Sequence, residues 1–193
     1  MQLTFDTSIR LLSKLVVIAT LLLIFAGALI KSHEVGLSVP DWPTSYGKQM
    51  FSFPLSEMVG GIFYEHGHRV FATIVGFLTL VLAVLIGFSN QPQWVKKTSL
   101  LALILVVSQG LLGGMTVLYF LPPPISILHG ILAQTFFALT IFISYSQSKI
   151  RTKKQQLSSV LYMRRGAVIL ASLVYFQLIL GALMRHTGSG LAI

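Results

Sequence analysis

Apolar residues run along this chain in five long blocks, and most charges and prolines collect in the segments between them. A bilayer core takes about 20 mostly apolar residues as helix. The blocks predict spans near 12–31, 66–88, 99–121, 125–147 and 166–185. No charged side chain falls between Val70 and Phe88 or between Leu100 and Leu121, which leaves these two blocks no polar face to show to water. The expected fold is an all-α membrane protein. Residues 1–148 form a four-helix transmembrane bundle with an outer loop at 32–64. A basic cytoplasmic loop covers 149–165, and 166–193 hold a fifth helix that starts a second, truncated repeat.

The repeat is visible in the residues. Gly27-Ala28-Leu29-Ile30-Lys31, followed by Gly36-Leu37-Ser38-Val39, returns without a gap as Gly181-Ala182-Leu183-Met184-Arg185, followed by Gly190-Leu191-Ala192-Ile193. The match includes a charged position and a glycine beyond the helix, which chance similarity between apolar runs does not supply. The plainer alternative is that small residues and a base are an ordinary helix ending. On the repeat reading, the chain is part of, or descends from, a longer one with a second four-helix unit. Arg10 and Lys14 before an apolar run ending in Ala26-Gly27-Ala28 also fit a cleaved signal peptide. The repeat argues instead for a retained first helix.

Composition sharpens the class. The chain is 54% hydrophobic and 10% charged, against about 25% charged in a soluble domain, which excludes a water-soluble fold. The net charge of +9 matters through its placement. Arg10, Lys14, Lys96, Lys97, Lys149, Arg151, Lys153, Lys154, Arg164 and Arg165 fall on one side of the predicted spans. The positive-inside rule makes that side cytoplasmic, with the N-terminus inside. Basic residues that adjoin two spans meet lipid, so the bilayer and not nucleic acid is the expected partner. Asp6, early in the chain, favours a bacterial plasma membrane over an organelle import precursor. With no cysteine, metal chemistry falls to histidine and carboxylate.

On this topology His33, His66, His68, His129 and His186 all lie at the outer, extracytoplasmic face, as do Glu34, Asp41, Glu57 and Glu65. His68 and His129 stand near the outer starts of the second and fourth spans, at similar depth on helices running the same way. That geometry suits two axial imidazoles on one heme iron in a bundle core. The alternative is interfacial histidines bonded to neighbours or water. His68, Ala72 and Gly76 form one stripe that leaves room beside the helix, and Gly130 and Ala133 flank His129. Small residues also serve helix packing, as in the G-x-x-x-G of Gly110 and Gly114.

Glu65, His68 and Arg69 share a helix face, with His66 turned away by about 200°. Glu65 is therefore the candidate proton acceptor, or simply the partner of Arg69. Arg69, Lys31 and Arg185 are candidates for heme propionates or for snorkelling bases. In the long loop, Trp42, Tyr46 and Phe51 either cap the site or form an interfacial aromatic belt. A small transporter, built on Gln109, Gln134 and Gln177, is disfavoured because the ionisable groups cluster at one end.

Four groups of residues together resemble the heme A synthase family: Gly36-Leu37-Ser38-Val39-Pro40-Asp41-Trp42-Pro43; Glu65-His66-Gly67-His68-Arg69; His129; and Arg185-His186-Thr187-Gly188-Ser189-Gly190-Leu191. The resemblance implies an eight-helix protein made of two four-helix repeats. It implies that His68 and His129 are the heme ligands of the N-terminal half and that Glu65 is the acid important for activity there. The implied reaction is oxidation of the heme O methyl group to a formyl, through a hydroxymethyl heme, for cytochrome oxidase biogenesis. Implied partners are heme O, heme O synthase and the oxidase assembly machinery. A heme b is expected in the C-terminal half, which this sequence lacks unless a second copy of the chain, as a homo-oligomer, supplies it. The sequence also departs from relatives that carry a cysteine pair in the first outer loop. The alternative function is a bis-histidine electron-transfer or assembly module without catalysis.

Overall fold

Helices form where the apolar blocks lie, because a backbone in lipid must satisfy its hydrogen bonds within its own segment. The computed structural model describes residues 2–148 and 160–187. The chain divides into two units, Met1–Ser148 and Lys149–Ile193. In the first unit the helices are α1 (Gln2–Ser32), α2 (Gly61–Phe88), α3 (Gln93–Leu118) and α4 (Pro123–Ser146). The second contains α5 (Val160–Thr187). All five are long and apolar enough to cross a membrane, and the protein is a multi-pass helical membrane protein.

In the first unit each helix packs on its neighbours in the chain, and α4 closes the ring against α1. Helices α2 and α4 therefore stand diagonally and run the same way. The end of the bundle that carries residues 33–60 is called the loop end below.

The aliphatic core is not spread evenly along the bundle. Ile9, Val16 and Ala19 of α1, Val75, Leu82 and Ile86 of α2, Val95 and Ala102 of α3, and Phe136 and Ile143 of α4 form one buried cluster. Apart from Ala19 and Val75, which sit near mid-bundle, they lie in the half remote from the loop. Toward the loop end the same helices carry Gly27, His68, Ala72, Gly113 and His129 instead.

Several boundaries differ from the pattern-based spans for physical reasons. Helix α2 begins at Gly61, five residues before the pattern-based start, and takes in Glu65. Helix α3 stops at Leu118 because Phe120 and Leu121 adopt left-handed φ values of 57° and 58°. There Phe120 N–H donates to the Val117 carbonyl and Leu121 N–H to that of Thr116, closing the helix end. Such a conformation costs a non-glycine residue about 1–3 kcal/mol, and it turns the chain sharply into Pro122. The proline at N1 of α4 suits a position whose N–H has no helical partner. Helix α5 begins at Val160, so Arg164 and Arg165 belong to its first turns. Of the basic segment, 149–159 lie outside the described residues, as do 188–193 of the last motif.

Candidate functional site

The long loop is tied down by α2. Arg69 is buried, and its two terminal nitrogens are fully engaged. Nη2 donates to Glu65 Oε1 at 2.6 Å and to the Val39 carbonyl at 2.7 Å. Nη1 donates to the carbonyls of Asp41 at 2.6 Å and Thr44 at 3.2 Å. Glu65, also buried, accepts the Val39 N–H on its other oxygen at 3.0 Å. The i, i+4 spacing that puts these two side chains on one face thus serves a buried ion pair that holds loop backbone. Next to it, His66 Nδ1 and Ser45 Oγ share a hydrogen bond of 2.8 Å, and Phe53 packs on the imidazole at 4.7 Å.

Within the loop, Asp41 organises a tight hairpin. Ser45 and Lys48 exchange backbone hydrogen bonds of 2.9 and 3.1 Å across Tyr46 and Gly47, both of which have positive φ. Asp41 Oδ1 accepts the Tyr46 N–H at 2.7 Å, and Oδ2 accepts the Gly47 N–H at 2.9 Å and the Thr44 hydroxyl. Burial pushes the Asp41 carboxyl upward, but the bonds from Thr44, Gly47 and Tyr46 outweigh it and leave the group below its ordinary value.

This clamped loop lays the Trp42 indole on Gly114 of α3, so closely that a Cβ at 114 would collide with it. Gly114 is therefore a seat for Trp42 and not half of a helix-packing G-x-x-x-G, and nothing lies within 4 Å of a Cβ built on Gly110. Tyr46 donates to the Ser38 carbonyl at 2.5 Å and Phe51 is exposed. Of the loop aromatics proposed as a cap, Trp42 is the one seated on a bundle helix.

Beneath the loop lie the two histidines. His68 comes seven residues after Gly61 and His129 six after Pro123, which puts each about 10 Å along its helix from the loop end. Each ring rests on a glycine of an adjacent helix. A Cβ at Gly27 of α1 would stand 3.2 Å from His68 Cε1, and one at Gly113 of α3 would stand 3.4 Å from His129 Cε1. The two imidazoles stand at matching depth on the diagonal helices α2 and α4. In both, Nδ1 is buried without a hydrogen-bond partner. Gln109 of α3 fixes the backbone beside one of them, its Nε2 donating to the His129 carbonyl at 2.9 Å.

The structure thus separates the sequence candidates into two layers. Glu65, Arg69, His66 and Asp41 hold the loop, and no hydrogen bond joins Glu65 to His68 among the described residues. His68 and His129 form the inner layer on diagonal helices. His33 stands apart, stacked on Tyr64 at 4.9 Å, and the side chains of Arg185 and His186 lie outside the description. Sequence reasoning missed the roles of Gly27, Gly113 and Gln109. The adjacent glycines 113 and 114 within an apolar helix were the available signal. Among the described residues no cluster of three or more His, Cys, Asp or Glu could hold a bare metal ion. Two imidazoles on diagonal helices could instead hold a metal only if it brought further donors of its own.

Comparison with known proteins decides the family. The model of the cytochrome oxidase assembly protein family matches residues 10–193. The chain belongs to that family. Among curated relatives it is 28% identical over 181 residues to a protein named heme A synthase from Shouchella clausii, covering 91% of this chain and 58% of the relative. It is 29% identical over 175 residues to the heme A synthase of an Exiguobacterium species, covering 88% and 54%. The heme A synthase of Bacillus pumilus is 26% identical over 192 residues, covering 96% and 61%. This family member therefore spans little more than half the length of these relatives. No solved structure matches it.

Proposed function

We propose that this cytochrome oxidase assembly protein binds heme between His68 and His129 and takes part in converting the heme O methyl group to the formyl of heme A. The observation that carries the reading is the pair of part-buried imidazoles on diagonal helices, each with a buried, unpartnered Nδ1 and each seated on a glycine. Buried polar atoms are normally paired; neither ring is spent on a protein partner through Nδ1, which leaves Nε2 for a metal and Nδ1 to carry the ring proton. The aliphatic core lies mostly in the other half of the bundle, and small residues line the half where a flat macrocycle would sit. Family membership and the names of the relatives point the same way.

Bound there, heme would supply the iron chemistry of an oxidation, while the chain supplies orientation and cover. His68 and His129 would hold the iron. Trp42, seated on Gly114, covers the mouth beside His129. Glu65 acts through the loop, because its carboxylate anchors Val39 and Arg69 and thereby holds Trp42 in place. Arg69 has only its Nε–H left for a heme propionate, its four terminal N–H groups being engaged with Glu65 and the loop. The histidine-bearing face is extracytoplasmic and the membrane is the plasma membrane. Heme O is the substrate, and heme O synthase and the oxidase assembly machinery are the expected neighbours.

The test is conversion of supplied heme O by the purified chain, read by extraction and chromatography, in wild type and Glu65→Gln. Oxidised heme from wild type and none from Glu65→Gln, with heme still bound, supports the reading. Heme bound but never oxidised by wild type would favour the electron-transfer module instead.

A further inference from the structure

Among the described residues, three buried side-chain polar atoms lack a hydrogen-bond partner: His68 Nδ1, His129 Nδ1 and Ser126 Oγ. Two belong to the proposed heme ligands. The third is on the same helix as His129, one turn nearer the loop end. Elsewhere in the bundle helical hydroxyls fold back onto carbonyls three or four residues earlier, as Thr20, Thr79, Thr135 and Thr140 do. Ser126 departs from this habit and keeps its hydroxyl spare.

Residues three apart lie on one helix face, and side chains lean toward the helix N-terminus. Ser126 thus shares the face of His129 one turn nearer the loop end, and in this structure its hydroxyl and His129 Nδ1 are not yet bonded to each other. The His129 backbone is fixed by Gln109, and the ring's Cε1 faces Gly113. An imidazole that gives Nε2 to a metal carries its proton on Nδ1, which then needs an acceptor. No serine or threonine stands three or four residues before His68. The residues three and four before it are Glu65, spent on Arg69 and Val39, and Tyr64, stacked on His33.

We infer that Ser126 is a positioning residue for His129, its hydroxyl accepting the Nδ1–H when Nε2 binds heme iron. The inference rests on the bis-histidine reading above and adds an asymmetry to it: His129 is the oriented, more basic ligand and His68 the less supported one. Removing the acceptor makes His129 a poorer donor to ferric iron, so the reduction potential rises and ferric heme leaves faster.

The test uses the full chain loaded with hemin, comparing wild type, Ser126→Ala, Ser126→Thr and His129→Ala. Midpoint potential and hemin transfer to apomyoglobin are the readouts. Ser126→Ala is expected to keep a six-coordinate spectrum, raise the potential and speed transfer about tenfold, the scale of an outer-shell loss. Ser126→Thr is expected to restore both. Unchanged potential and transfer in Ser126→Ala, while His129→Ala loses the six-coordinate spectrum, overturns this inference alone. A change in thermal stability with the potential unmoved overturns it too. No hemin binding by wild type, or a wild-type spectrum in His129→Ala, overturns the bis-histidine reading and this inference with it.

Discussion

The imidazole of His68 lies against the backbone of Gly27 on the neighbouring helix, with 3.2 Å between its Cε1 and the place a Cβ would occupy. A methyl group there must push the ring by a few tenths of an ångström, and a branched side chain by more. Overpacking of this kind costs about 1–3 kcal/mol, and the cost falls on ring position. Gly27→Ala is expected to weaken hemin binding about tenfold and Gly27→Val to abolish it, with helix content by circular dichroism unchanged. Wild-type affinity in Gly27→Val would show that the seat does not set the ring.

Arg69 gathers Glu65 and three loop carbonyls in one buried place. Removing one partner of a buried ion pair costs about 3–5 kcal/mol, because the other charge is left uncompensated. Arg69→Met is therefore expected to lower thermal stability and to raise hydrogen exchange across Val39–Thr44. Arg69→Lys keeps the charge but loses the fork that reaches several carbonyls, so it should rescue only part. Equal protection of the loop in Arg69→Met and wild type would refute the clamp.

Asp41 gives the loop a pH dependence whose sign is fixed. Its carboxyl is held below the ordinary 3.8 in the folded chain, so its contribution is fully present above that value and fades as pH falls through the lowered one. Protection of the Tyr46 and Gly47 amides, corrected for intrinsic exchange rates, should be flat from pH 7 to about 5 and fall in the acid range below. Asp41→Asn should be less protected at neutral pH and flat throughout. An acid-insensitive wild-type turn would refute the assignment.

Much of this architecture was legible in the chain because lipid imposes a simple rule: long apolar blocks become helices. That His68 and His129 stand at similar depth on helices running the same way was also legible. The loop was not. That Arg69 spends itself on the carbonyls of Val39, Asp41 and Thr44 depends on how the loop folds back, and no local spacing encodes that. Gly114 shows the same limit: a small residue on an apolar helix looks like a packing position until Trp42 arrives from far away in sequence. Phe120 and Leu121 carried the apolar pattern past the helix end, since hydrophobicity does not register a left-handed turn.

On the proposed reading one heme iron is held by both His68 and His129. Hemin or heme O added to wild type, His68→Ala and His129→Ala, followed by optical and low-temperature EPR spectra, tests it directly. A six-coordinate, low-spin, bis-imidazole spectrum is expected in wild type, and its loss in each variant. A six-coordinate low-spin spectrum that survives in either variant would contradict that reading.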